Sequence, residues 1–435
     1  MSEITIKSKE KDAIIQSLMA GVVPRIGLHH IQVGRKKEIE ALLKNIEIIA
    51  SGGSTIKFVI GEYGAGKTFF LNLIRTIALE KGLVTVNADL TPDRRLHATA
   101  GQARSLYAEL MRSLSTRTKW DGGGLSGIVE KFISIALKEA KEQGKNIEVV
   151  IHAKLEILSE MVNGYDFASV IASYWKGYDS GNEQLKSDAI RWLRAEFSTK
   201  TDAKNALGVR TIIDDLNFYD QLKLMSKFVR LAGYNGILIG LDEMVNLYKL
   251  TNTQARNANY EQILRIINDC LQGNGEGLGF IMCGTPEFLM DTRRGLYSYQ
   301  ALQSRLSENK FANDTGLIDY NGPILRLSKL TKEDLYVLLH HIRNVFALGD
   351  ETKYLVPEEA FHHFMDYCFK KIGDAYFQTT RNVAKAFTDF LSLVEQNPQV
   401  SWKEILGNIS IEKDNAPENK DIVDNEDEEL AQFKL

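Results

Sequence analysis

The sequence predicts an α/β fold in which helices flank a parallel sheet, and three observations lead there. Gly61-Glu62-Tyr63-Gly64-Ala65-Gly66-Lys67-Thr68 follows the apolar run Thr55-Ile56-Lys57-Phe58-Val59-Ile60. It precedes a segment from Phe69 to Glu80 whose apolar residues recur at helical spacing. Strand, glycine loop, Lys-Thr and helix together form the context of a phosphate-binding loop, or P-loop. The run Leu83-Val84-Thr85-Val86-Asn87-Ala88-Asp89 comes next, so 55–89 reads as a βαβ unit, which requires parallel strands. Two later runs, 236–241 and 278–284, are continuously apolar rather than alternating, as suits strands buried on both faces.

The remaining elements follow in order. Residues 1–20 read as a short amphipathic helix with Ile14, Ile15, Leu18 and Met19 on one side. Val33-Gly34-Arg35-Lys36-Lys37-Glu38 opens a second helix, which runs through Leu42, Leu43, Ile46 and Ile49 and stops at Ser51-Gly52-Gly53. From about 100 to 230 the pattern is almost wholly helical, more than one crossover needs. Residues 121–208 are therefore expected to be a large helical insertion within a P-loop core domain spanning 1–320. After Pro323 a strand, Ile324-Leu325-Arg326-Leu327, gives way to helices, and 321–409 reads as an all-helical C-terminal lid. Low hydrophobicity and acidic content mark 410–435 as a disordered tail.

Composition narrows the function classes. Three cysteines, Cys270, Cys283 and Cys368, lie far apart without C-x-x-C spacing, which excludes a disulfide framework or zinc site and fits a reducing compartment. The charged N-terminus does not read as a secretory signal, and no apolar run reaches membrane-span length. No membrane association and a cytoplasmic location are expected. Between 411 and 435, nine acidic residues against three basic ones give −6, so the rest of a chain of net charge −4 carries +2. A near-neutral body neither demands nor excludes nucleic acid.

The P-loop predicts a nucleoside triphosphate site. Its glycines let backbone N–H groups converge on phosphate oxygens, Lys67 reaches the β- and γ-phosphates, and the Thr68 hydroxyl ligates Mg²⁺. Asp242-Glu243, directly after a buried strand, supplies the other half: Asp242 for Mg²⁺ and Glu243 to orient and deprotonate an attacking water. Thr285, at the end of the following strand, either sits beside the γ-phosphate or N-caps the helix opened by Pro286. Arg305 is a candidate for an arginine donated to a neighbouring subunit's nucleotide, with Arg293 and Arg294 as competitors. Arg381, at the start of a C-terminal helix, is placed to fold back onto the γ-phosphate. A basic set, Arg94, Arg95, Arg104, Arg112, Arg117 and Lys119 with Tyr107 and Trp120, reads as a solvated face or a nucleic-acid contact.

Taken in order, Val33-Gly34-Arg35, the P-loop, Asp242-Glu243, Thr285, Ser304-Arg305-Leu306 and Thr380-Arg381-Asn382-Val383 resemble the motifs of AAA+ ATPases, nearest the initiator and origin-recognition branch. More narrowly, the P-loop, Asn87-Ala88-Asp89, Tyr107-Ala108-Glu109-Leu110-Met111 and Leu241-Asp242-Glu243 are similar to the BrxD-like ATP-binding proteins of BREX phage-resistance systems. The resemblance covers 20–120 and 230–395 in pieces. It implies an AAA+-like fold, ATP and Mg²⁺ as cofactors, and Gly34 and Arg35 as part of the nucleotide site. It also implies Thr285 as first sensor, Arg381 as second sensor and Arg305 as arginine finger. The function it implies is an oligomeric ATPase that couples nucleotide state to remodelling of double-stranded DNA or partner proteins in anti-phage defence. A nucleotide-gated scaffold recruiting other defence proteins with little hydrolysis is the alternative, and a signalling NTPase related to STAND proteins a third. Two features depart from the AAA+ pattern. Lys67 and Asp242 stand 175 positions apart, and no C-terminal winged helix follows, since the folded region ends near Leu406.

Overall fold

Five strands organise the chain: β1 (Thr55–Ile60), β2 (Val84–Asp89), β3 (Ile237–Asp242), β4 (Leu278–Gly284) and β5 (Ile324–Arg326). They form one sheet in the order β2-β3-β4-β1-β5, every neighbouring pair parallel. The computed structural model of the protein describes residues 6–372 and 379–408; the acidic tail expected at 410–435 lies outside them.

Alternation along the strands divides the core. Ile56, Phe58 and Ile60 of β1 join Val84, Val86, Ile237 and Ile239 in one apolar cluster, while Val59 joins Leu238, Ile281 and Leu325 in another. The second cluster is closed by Leu42, Ile46 and Ile49 of helix Lys36–Ala50 and by Phe70, Leu71 and Ile74 of helix Lys67–Glu80. Gly240 belongs where the sheet meets that helix, because a Cβ there would lie 3.0 Å from Leu71 Cδ1. Lys57 is buried in the middle of β1, and its ammonium donates to the carbonyls of Tyr320 (2.9 Å), Asn321 (3.0 Å) and Gly322. Three carbonyl partners satisfy a charge that would otherwise be costly to bury, and they pin the loop ahead of β5.

The first cluster continues into the helices between β2 and β3. Asn146, Asn182 and Thr199 N-cap helices Ile147–Ser159, Glu183–Leu193 and Lys200–Leu207 through side-chain oxygens. Phe167 meets Trp192 at 6.4 Å and Phe228 at 5.8 Å between ring centroids, and Phe228 meets Phe132 at 5.3 Å. Because Phe132, Phe167 and Trp192 fall in the same cluster as Phe58 and Ile239, the 121–208 helices share the core of the sheet.

The chain divides into two compact units, Val23–Asp334 and Met1–Val22 with Leu335–Leu435. Helix Ser8–Met19, read above as part of a 1–320 domain, thus groups with the C-terminal helices. The reason lies on its buried side: Ile14 is fully buried, Lys11 pairs with Glu395 at 3.1 Å and its ammonium stands 5.6 Å from the Phe346 ring centroid. In that unit Phe387 packs against Phe361 and Phe364 at 5.5 and 5.0 Å. Buried Arg343 donates to the Val356 carbonyl and lies 3.8 Å from the Tyr354 ring centroid.

Candidate nucleotide site

In a sheet whose strands all run one way, the carboxyl ends converge on one edge, and side chains placed just after several strands can act together. Here that edge carries the loop after β1, Asp89 at the end of β2, Asp242-Glu243 at the end of β3, and Thr285 after β4. β4 pairs with both β1 and β3, so Thr285 follows the strand between the loop and the acidic pair.

The loop is built on glycine for local reasons. A Cβ on Gly61 would sit 2.8 Å from the Leu327 carbonyl oxygen, closer than side chains tolerate. Gly64 and Gly66 turn through left-handed conformations, φ 77° and 82°, that L side chains resist. Gly66 opens helix Lys67–Glu80, whose 14 residues bring the positive end of their dipole to the loop. The Lys67 ammonium donates to the carbonyls of Gly61 (2.7 Å) and Glu62 (3.0 Å), which holds the charge within the loop. Burial lowers its pKa, opposed by the negative charge of Asp242 and Glu243.

Thr68 Oγ1 donates to Asp242 Oδ2 at 2.7 Å, joining the two halves of the site across 174 residues of sequence. Asp242 is buried, and its other oxygen accepts from the Glu243 N–H at 2.8 Å. Glu243 adopts a left-handed backbone, φ 56°, which is uncommon outside glycine and costs on the order of 1–3 kcal/mol. Its side chain is exposed to solvent; even so, partial desolvation first, then the charges of Asp242 and Asp89, raise its pKa above the usual glutamate value. A hydroxyl and a carboxylate within hydrogen-bond distance form a hard oxygen pair of the kind Mg²⁺ prefers, so these residues fit that ion.

This arrangement, a glycine loop with its lysine opening a helix and an acidic pair bonded to the next threonine, is that of a nucleotide-binding protein. The chain belongs to the family of BREX system ATP-binding proteins BrxC/D. The family model matches residues 6–410, nearly the whole chain, and places it among ATP-binding proteins of BREX defence. No curated protein sequence matches it.

The other residues singled out from the sequence of this BrxC/D member are placed as follows. Thr285 N-caps helix Pro286–Met290, its hydroxyl accepting from the Phe288 N–H at 3.4 Å. The Arg35 Nη2 donates to the carbonyls of Ala65, within the phosphate loop (2.6 Å), and Ser328 (3.0 Å). Arg305 lies exposed on helix Gln300–Leu306 and donates to Asn268 Oδ1 at 2.7 Å and to the Ala301 carbonyl at 2.9 Å. Arg294 donates to the Leu250 carbonyl, and the Arg293 N–H is fixed by Asp291. Arg381 starts helix Thr380–Gln396 in the other unit, its side chain alongside Gly21; part of the segment before it, 373–378, lies outside the described residues. Among the described residues no helix is long and apolar enough to cross a membrane.

Part of the basic set after β2 is occupied within the chain, while Arg117 and Lys119 are exposed. Arg94 and Arg112 both pair with Glu109, at 3.3 and 2.9 Å, and Arg104 donates to the Ala195 carbonyl. Tyr107 is fully buried in the core, which removes it from any base-stacking role. The sequence reading passed over Asp89 as a site residue. It stands directly opposite Asp242 in the β2–β3 register, and although its side chain is exposed, partial desolvation first and then the charge of Asp242 raise its pKa. Its position as the last residue of a parallel strand was the available signal.

Proposed function

We propose that the protein hydrolyses ATP in an AAA+-like site at the carboxyl edge of the sheet, and that nucleotide state drives remodelling of DNA or partner proteins in BREX defence. The observation that carries the reading is the 2.7 Å bond from Thr68 to Asp242, with Glu243 the next residue, because it brings phosphate loop and acidic pair into one site. Lys67 and the loop hold the β- and γ-phosphates, and Thr68 with Asp242 holds Mg²⁺. When bound, that ion neutralises charge developing on the phosphate oxygens. Glu243, with its raised pKa, takes a proton from the attacking water more readily than an ordinary glutamate. Thr285 orients that water, Arg381 acts as the second sensor, and Arg305 completes the site of a neighbouring copy in a homo-oligomer.

Glu243→Gln is the direct test. The variant is expected to bind ATP with unchanged affinity and to release phosphate at least a hundredfold more slowly; wild-type turnover in it would sink the hydrolytic role. Measuring wild-type turnover with and without duplex DNA separates remodelling from a slow scaffold, since only the former predicts stimulation.

A further inference from the structure

Arg35 carries more of the structure than its place ahead of a helix requires. Two consecutive residues, Gly34 and Arg35, stand in the left-handed region at φ 64° and 61°. For an arginine this is a strained backbone, kept only where the surroundings enforce it. The result is a half-buried guanidinium whose single Nη2 nitrogen donates both to Ala65 O, inside the phosphate loop, and to Ser328 O, just past β5. Ala65 is itself buried, and a Cβ on Gly66 would come within 3.9 Å of the same Nη2.

The segment it reaches, 327–334, is tied to the loop a second time. Leu327 N–H donates to Ile60 O at 2.8 Å, and Leu327 O packs where Gly61 has no side chain. The far end of the segment is capped: Thr331 N–H donates to Asp334 Oδ2 and Asp334 N–H to Thr331 Oγ1, each at 3.1 Å. Asp334 Oδ1 also lies 3.3 Å from the position of a Cβ on Gly34. At Asp334 the first compact unit ends and the chain passes into the second.

We propose that Arg35 is a positioning residue that couples nucleotide in the phosphate loop to the connecting segment 327–334, by holding Ala65 and Ser328 on one nitrogen. The proposal rests on the loop being the nucleotide site. It assigns Arg35 to the back of the loop rather than to the nucleotide itself. Phosphate drawing the loop's N–H groups forward moves the Ala65 carbonyl, and the shared donor passes that displacement to Ser328.

The segment carries two tryptic sites, Lys329 and Lys332. In the full chain bearing Glu243→Gln, ATP with Mg²⁺ is expected to slow cleavage at those two lysines at least threefold, read by mass spectrometry. Adding Arg35→Ala, which removes both hydrogen bonds to the loop and the segment, should weaken ATP binding about tenfold and abolish the protection even at saturating ATP. Arg35→Met, which fills similar space but donates to neither carbonyl, should likewise lose the protection, whereas Arg35→Lys, whose ammonium has donors for both, should keep part of it. A merely structural arginine would lower the melting temperature of nucleotide-free protein without changing the ATP-dependent difference. Full protection in Arg35→Ala at saturating ATP overturns the proposal, as does the absence of ATP-dependent protection when Arg35 is intact. Should Arg35→Ala fail to fold, full protection in Arg35→Met overturns it equally. Lys67→Ala distinguishes the underlying reading: if it binds ATP like the parent protein, the loop is not the nucleotide site and the proposal falls with it.

Discussion

Replacing Thr68 with alanine removes one hydroxyl with an observed role and a proposed one. It donates to a buried carboxylate at 2.7 Å, and in the proposed site it would ligate Mg²⁺ together with Asp242. A hydrogen bond to a charged group contributes about 1.5–3 kcal/mol. Asp242 keeps its second bond, from the Glu243 N–H, so the lower end of that range applies to stability. For a unit of this size, about 1.5 kcal/mol corresponds to roughly 2–3 °C in melting temperature without nucleotide. The proposed Mg²⁺ role predicts a separate and larger effect, because an ion held by Thr68 and Asp242 would lose one of its protein ligands. Titrating MgCl₂ at fixed ATP while following phosphate release should show a midpoint raised about tenfold or more in Thr68→Ala. Thr68→Ser, which keeps the hydroxyl, should stay within about twofold of wild type. A wild-type Mg²⁺ midpoint in Thr68→Ala, or equal damage from serine and alanine, would refute the assignment.

Glu243 offers a pH test with a definite sign. Its folded pKa is raised, so the folded protein binds that proton more tightly than the unfolded chain, and the ionised carboxylate costs stability as pH rises from the ordinary glutamate value through the folded pKa. Glu243→Gln should therefore melt higher than wild type at pH 7.5, with the gain shrinking toward pH 4; a gain that grows on acidification contradicts the environment described. Phe228→Ala, fully buried between Phe132 and Phe167, should cost about 3–5 kcal/mol and leave one unfolding transition for sheet and insertion by urea denaturation; two separated transitions would contradict a shared core. Cys270, its pKa pushed up to about 12 by burial, and Cys283, raised by complete burial, should resist iodoacetamide in native protein at pH 8, as mass spectrometry would show. If Arg305 serves a neighbouring copy, Arg305→Ala should lose turnover at every protein concentration, and small amounts added to wild type should reduce activity by more than their share.

What could be read in advance was whatever repeats a local rule. Five strands were legible because two are continuous apolar runs, the first ends in a glycine loop and the other two are short apolar-rich stretches beside helical segments, and Asp242-Glu243 because strand ends are where polar residues become available. Features set by distant partners were not. Nothing in Gly34-Arg35 announces that the guanidinium turns onto Ala65 and Ser328, since Ser328 lies 293 residues away in sequence. Tyr107 looked like a stacking residue among arginines, yet its spacing from Ala103, Leu106 and Leu110 puts it on the buried face of helix Gln102–Ser113. The first helix carried an apolar stripe, and no local signal said which unit would bury it. Glu243's left-handed backbone has no counterpart in residue type at all, because glutamate is not chosen for that conformation.

The strand order has a consequence for how the chain is made. β1, which carries the phosphate loop, pairs only with β4 and β5, so its partners lie beyond residue 277. A ribosome adding about 5–20 residues per second would need roughly 10–45 s between finishing β1 and finishing β4. Through that interval Phe58, Val59 and Ile60 lack the strands that flank them in the finished sheet, and both edges of β1 are open to pairing with another chain. The helices of 121–208 emerge in the meantime and bring an apolar surface for one side of the strand. Until β4 arrives, the phosphate loop stands at the end of an unpaired strand.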